Sequence, residues 1–191
     1  VEEKRADELK KGDWILQNKE ILIPKTSDSE LSFDTAYLIG YFMGNGSMSL
    51  TEDNRGGNHI TKTFIRFDDG NKNILKKIAK ILNDKFGTEI QSHSQDRRSK
   101  DWKIGTTKTN VGDFFRKYGF KEGVKCYTVG VSETLRQELS NQEVVSGVLS
   151  GLIDSDGHIN DMGDFEYMTA SERLAQDVVE MFNLLGVIAY Y

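Results

Sequence analysis

LSGLIDSDG, residues 149–157, combines features that an ordinary helix keeps apart. Leu149, Leu152 and Ile153 are apolar at helical spacing, Ser150, Gly151 and Ser155 are small, and two carboxylates stand directly before a terminal glycine. The unpaired carbonyls of a helix C-terminus carry roughly half a negative charge, so Asp154 and Asp156 oppose local stability there. Chemistry, rather than folding, accounts for them. Gly151 and Ser155 lie one turn apart on one face, where the lack of side-chain bulk lets a second helix approach closely.

A partner with the same register lies upstream, LIGYFMGNG at residues 38–46. Gly40 and Gly44 repeat the small pair, Leu38 and Phe42 repeat the apolar pair, and Gly46 repeats the terminal glycine. Two such helices packed through their small faces bring positions 45 and 156 side by side at one end. Position 156 is an aspartate, whereas position 45 is Asn45.

Together these stretches resemble the signature of the LAGLIDADG homing endonucleases, of which LSGLIDSDG is a near-complete match. Gly123-Val124-Lys125 is similar to the approach to the second motif in intein-borne members. The resemblance covers about Asp34 to Tyr191. It implies an α+β fold of two pseudo-symmetric αββαββα halves, the second incomplete in this chain, arranged as a monomer around a pseudo-two-fold axis. It also implies recognition of a long double-stranded DNA site and phosphodiester hydrolysis with Mg²⁺ (or Mn²⁺), one acid coming from each motif.

Composition sets bounds on the same reading. The 191 residues suffice for one ordinary domain or two small ones. With 37% hydrophobic and 29% charged residues, the chain has neither an apolar run of membrane-spanning length nor a signal-peptide core. Cys126 is the single cysteine, so no internal disulfide forms and an intracellular setting, cytoplasmic or nuclear, is expected. A net charge of −5 argues against nucleic-acid binding over the whole surface while leaving room for a local basic face. His59, His93 and His158 show no ligand spacing with the cysteine, which argues against a zinc site.

Before the first motif, ADELKKGDWI at residues 6–15 and the alternating Ile21, Leu22 and Ile23 read as a short helix, a turn at Gly12 and a strand pair. This segment is similar to the part of an intein splicing domain that precedes an inserted endonuclease. It reads equally as an N-terminal strand packing on the main domain. Neither an N-terminal Cys or Ser nor a C-terminal His-Asn pair is present, so no splicing residue is assigned and this chain is not expected to splice. The expected divisions are residues 1–33 as the splicing-like segment and linker, 34–135 as the first half, and 136–191 as the truncated second half.

Within the first half, Asp34 or Thr35 is the expected cap of the motif helix. A polar turn at 53–58 then leads to a strand over Thr61–Phe67, with Ile65 and Phe67 on one face and Lys62, Phe64 and Arg66 on the other. Ile74, Ile78, Ile81 and Leu82 predict a helix over 71–86 stopped by Gly87. Strands are expected at 89–94 and 101–106, with Ile90, Trp102 and Ile104 inward, and a helix over 111–118. The second motif helix, opening near Gln142 or Glu143, begins a repeat: a strand at 165–169, a Thr169–Glu172 capping box, and a helix carrying Leu174, Val178, Met181, Phe182 and Leu185 to Gly186. The repeat stops inside its next expected strand, so the chain is expected to be a fragment.

Asp156 is the candidate metal ligand and catalytic acid, because carboxylate-held Mg²⁺ both stabilises charge on a scissile phosphate and activates water. Asn45 departs from the family pattern. Its amide oxygen can ligate a hard cation without adding negative charge, so affinity and cleavage at that half are expected to fall. Asp154 points to another side and is expected to cap or pair locally. Lys125 is either a water activator, a phosphate contact or an ordinary exposed lysine. Lys62, Arg66, Arg97, Arg98, Lys100 and Lys103 form either a solvated face or the basic side of a sheet suited to a major groove. Two functions follow from these residues: a metal-dependent DNA endonuclease, or a DNA-binding protein that keeps the fold without cleaving, favoured by Asn45 and the acidic balance.

Overall fold

The computed structural model describes residues 8, 10, 20–24, 29–53, 59–91, 94–95, 100–123, 125–161 and 164–191. Most of the ADELKKGDWI string, the 54–58 part of the first turn, His93, Val124, Arg97 and Arg98 lie outside them. Among the described residues twelve elements follow in order: α1 (Phe33–Asn45), β1 (Gly46–Asp53), β2 (Ile60–Asp69), α2 (Lys72–Phe86), β3 (Ser94–Gln95), β4 (Trp102–Thr106), α3 (Thr109–Lys117), α4 (Glu133–Glu138), α5 (Gln142–Asp156), β5 (Gly157–Ile159), β6 (Phe165–Tyr167) and α6 (Glu172–Leu184). Antiparallel β1-β2-β4-β3 form one sheet and β5-β6 a second. The fold is thus α+β, with α1-β1-β2-α2 repeated as α5-β5-β6-α6. Equivalent pairs open both hairpins: Gly46 faces Phe67 and Gly157 faces Tyr167.

The two motif helices pack through their small residues at backbone distance. A Cβ on Gly40 would overlap the Val148 carbonyl, one on Gly151 the backbone of Tyr37 and Tyr41, and one on Gly44 the side chains of Ser155 and Asp156. Gly147 extends the same contact, with a built Cβ 2.7 Å from the Phe33 carbonyl oxygen. Gly46 and Gly157 end their helices in extended, not left-handed, backbone. Each is small because a Cβ would strike an aromatic ring, Phe42 at Gly46 and Phe165 at Gly157.

Around this axis Tyr37, Tyr41, Phe42, Phe67 and Phe115 are fully buried, and Phe42 stacks on Phe115 with centroids 4.1 Å apart. Ile65 and Phe67 face the helices as alternation predicts, joined by Met48 and Ile104. α2 begins one residue after its cap Asn71, is anchored by Leu75 as well as Ile78 and Leu82, and stops at left-handed Gly87.

Several expectations are corrected. Ser32, not Asp34 or Thr35, is the N-cap of α1, in a capping box whose other member is Thr35. Ser171 caps α6 by accepting from Leu174 N at 3.3 Å, whereas Thr169 accepts only from Ser171 N. No strand runs through 89–91: Asn83 of α2 accepts from Ile90 N at 2.9 Å and donates to Ile90 O at 3.1 Å, occupying the groups a neighbouring strand would need. Residues 21–23 form no strand either. Leu22 N donates to Leu184 O and Pro24 O accepts from Gln142 N, which ties this segment to α6 and α5.

The link between the halves carries α4, which hydrophobic spacing did not announce. Buried Asp177 of α6 accepts from Val131 N at 2.7 Å and from Arg136 at 2.5 Å, fixing that link onto the second half. Among the described residues no helix is long and apolar enough to cross a membrane.

Candidate active site

The packing of α1 on α5 brings three sequence candidates to one place. Asn45 donates from Nδ2 to the Ser155 carbonyl at 3.1 Å. The Asp156 carboxylate lies over Gly44, so near that a Cβ there would collide with Oδ2. Lys125 reaches in from the link and donates to the Met43 and Gly44 carbonyls at 2.6 and 2.9 Å. Neither motif helix has a basic residue in its last turn, and the Lys125 ammonium supplies the missing cation at the end of α1.

Charge and burial tune these groups against each other. Burial pulls the Lys125 ammonium down to about 8, while the negative Asp156 beside it holds it up. Asp156 reaches the surface, yet the protein around its carboxyl raises its pKa; Lys125 opposes that rise and Asp69 adds to it. Tyr167, opposite Gly157, is pushed up by burial and by Asp156.

Asp154 does not pair locally. It accepts from Tyr37 Oη at 2.7 Å and from Lys77 Nζ at 3.4 Å, both in the first half, with the Lys77 ammonium over the Tyr37 ring. Its charge therefore serves the contact between halves rather than the helix end beside Asp156.

Two further groups at the site went unnoticed in the sequence. Tyr41, one turn before Asn45, donates to the Asp69 carboxylate, and its oxygen lies 3.2 Å from the Asp68 carbonyl oxygen. The signal was available: alternation through Ile65 and Phe67 puts residue 69 on the helix-facing side of β2.

The basic residues divide. Strand register places Lys62, Arg66 and Lys103 on one face, since Arg66 lies opposite Ser47 and Gly105, Lys62 opposite Thr51, and Lys103 opposite Asp68. Two carry an acid that the sequence reading did not pair with them: Lys62 with Asp53 at 2.9 Å and Arg66 with Asp68 at 3.0 Å. Lys100 is exposed in left-handed backbone beyond β3. Arg97 and Arg98 lie outside the described residues.

A divalent metal at the helix ends would find two hard oxygen donors, the Asp156 carboxylate and the Asn45 amide oxygen. That set suits Mg²⁺, which keeps several waters and takes further oxygens from a phosphate substrate. Among the described residues no group of three or more His, Cys, Asp or Glu could hold a metal by itself.

Comparison with known proteins agrees with this fold. The chain is similar to I-DmoI, solved in complex with DNA and Mn (14% identity, TM-score 0.58, 82% of this chain and 79% of that one) and in complex with DNA and Ca (14%, 0.59, 84% and 75%). It is also similar to full-length DUF199/WhiA from Thermatoga maritima (12% identity, TM-score 0.52, 86% of this chain and 47% of that one). A curated relative is the replication factor C small subunit of Methanocaldococcus jannaschii, 25% identical over 186 residues. The match takes in 97% of this chain but only 9% of that relative's length. The LAGLIDADG-like domain family matches residues 32–119 and 143–191, which is most of the chain and includes both motif helices, and the protein belongs to that family.

Proposed function

We propose that this chain is a homing endonuclease that hydrolyses phosphodiester bonds in a long duplex DNA site with a divalent cation, Mg²⁺ or Mn²⁺. One observation carries the reading: Asp156, Asn45 and Lys125 converge where two helices meet, on a contact built to bring those ends together. Asp156 and Asn45 would hold the cation, which supplies positive charge to the phosphate and a more acidic water when bound. Lys125, its amine half-charged near pH 8, stands where it can take a proton from that water or meet a phosphate oxygen. The face with Lys62, Arg66 and Lys103 adjoins these ends through β2 and would lie along the duplex. Support for the metal comes from the I-DmoI complexes, which contain DNA with Mn or Ca. An intein-borne origin is consistent with a match confined to a small part of a much longer protein.

A specific observation favours the second reading, a non-cleaving DNA-binding protein. Asn45 removes one negative charge from the donor set, and the fold is shared with WhiA. The two readings part in one experiment. Sequences bound by the chain in Ca²⁺ are selected from a random duplex library and then incubated in Mg²⁺, with EDTA and Asp156→Asn as controls. Strand cleavage lost in both controls supports the endonuclease; tight binding with no cut, equal for parent and variant, establishes the binding protein instead.

A further inference from the structure

Among the described residues Asp177 of α6 is the only charged side chain that is buried. A carboxylate out of water is costly unless its oxygens find donors, so its partners show what it holds. They are Val131 N at 2.7 Å and Arg136 of α4 at 2.5 Å, both in the link between the halves. Two more residues at the start of α6 grip the same stretch. Ser171, fully buried, caps α6 and donates its hydroxyl proton to the Val129 carbonyl at 2.6 Å, and Arg173 donates to the Val131 carbonyl at 2.5 Å. Val129 N in turn donates to the Lys125 carbonyl at 2.8 Å, and Thr128 N to the same oxygen at 3.0 Å, closing a turn whose first residue is Lys125. Packing does little for this turn. Cys126, Tyr127 and Thr128 are exposed, and a cavity of about 390 Å³, lined by Tyr118, Phe120, Thr128 and Lys125 itself, lies between it and the end of α3. From the turn the Lys125 side chain runs the other way, to the Met43 and Gly44 carbonyls of α1.

From this chain of hydrogen bonds we infer that Ser171 and Asp177 are positioning residues, which clamp the link from the second half and so hold Lys125 on the end of α1 in the first. The catalytic worth of that position rests on the role proposed for Lys125, whereas the clamp rests on the bonds alone. A lysine side chain loses more rotamer freedom on ordering than most, so the two bonds at its tip are kept only if the backbone at its base is already fixed. Counted from the caps Asn71 and Ser171, the position equivalent to Asp177 in α2 is Lys77, which reaches Asp154 of α5. Both long helices therefore use this position to fasten something outside their own half. The end of α1 obtains its cation only when α6 is in place.

The test follows the Lys125 ammonium by NMR of the complete chain with labelled lysine Nζ, at mildly acid pH where the group is fully charged. Its N–H signals, assigned by their loss in Lys125→Met, should exchange slowly with water in the parent, because two carbonyls hold them. Asp177→Ala should speed that exchange about tenfold, the worth of a buried hydrogen bond lost from the clamp. Asp177→Asn, whose amide oxygen can still accept from Val131 N, should return it towards the parent rate. Thermal unfolding checks that each variant is folded; should Asp177→Ala not fold, Ser171→Ala, which frees the Val129 carbonyl, carries the same measurement. Exchange unchanged in a folded Asp177→Ala or Ser171→Ala, or raised equally by Asp177→Asn and Asp177→Ala, would overturn the inference. On duplexes selected for binding in Ca²⁺, Asp177→Ala should slow strand cleavage in Mg²⁺ and leave affinity unchanged. A parent that binds without cutting would overturn the endonuclease reading alone, since the ammonium signal decides the clamp independently of DNA.

Discussion

Lys125 performs for α1 a task that no residue of α1 performs, covering its last carbonyls with positive charge. Burial disfavours that charge and Asp156 favours it, and burial prevails, leaving the amine at about 8. Titration followed by NMR of labelled lysine Nζ should show this midpoint, and Asp156→Asn should lower it further; an unmoved midpoint would mean that the two groups do not interact. The stability consequence has a definite sign. Between about 8 and the ordinary lysine value the unfolded chain holds more protons than the folded one, so stability rises with pH across that window. Parent minus Lys125→Met, measured by urea unfolding, should therefore grow as pH rises from 8 to 10. At this scale Asp156, Asn45 and Lys125 were legible because a motif fixes their spacing. Asp69 was within reach of the β2 alternation but went unread, and the true partners of Asp154 were not legible, because Tyr37 and Lys77 meet it across elements and sequence distance carries no trace of such pairs.

α1 and α5 approach at backbone distance, which makes their contact the least forgiving in the molecule. Gly40→Ala would drive a methyl group into the Val148 carbonyl, and Gly151→Leu a larger side chain into the backbone of Tyr37 and Tyr41. No flexible side chain is there to yield, so the helices must separate. Each change should destabilise by about 1–3 kcal/mol or more, with the leucine worse, as overpacking of a tight contact does. Thermal unfolding measures this, and unchanged midpoints would contradict so close a packing. The helices themselves were readable from apolar period and glycine register, as was β2 from alternation. What escaped were elements decided by single side chains: Asn83 takes the backbone bonds of Ile90 and so prevents a strand at 89–91, and Ser132 caps the short α4.

At the scale of the whole molecule, the proposed function asks an acidic chain to bind an acidic polymer through a locally basic face whose cations already have partners. The Arg66–Asp68 pair is half-buried, with the guanidinium its more open member, so a phosphate can compete with the carboxylate for the arginine. Arg66→Ala and Lys103→Ala should each weaken DNA binding and flatten its logarithmic salt dependence by about one unit, measured by fluorescence anisotropy over a range of salt. Affinity and slope surviving both changes would place DNA elsewhere. The same balance of charge governs the helix ends, where Asn45 leaves Asp156 as the only carboxylate among the metal donors proposed there. Asn45→Asp would set a second carboxylate beside Asp156, with Asp69 already contributing negative potential. Two like charges that close are unfavourable without a cation, so the metal-free protein should lose stability. Mg²⁺ should restore it, because a ligand that binds only the folded state stabilises in proportion to its occupancy. DNA affinity in Ca²⁺ should change less than cleavage in Mg²⁺, since the substitution acts on the metal and not on the basic face. The decisive comparison is the thermal midpoint of parent and Asn45→Asp, each with EDTA and with saturating Mg²⁺: a larger Mg²⁺-induced rise in the variant locates the cation between positions 45 and 156, and equal rises place it away from the helix ends.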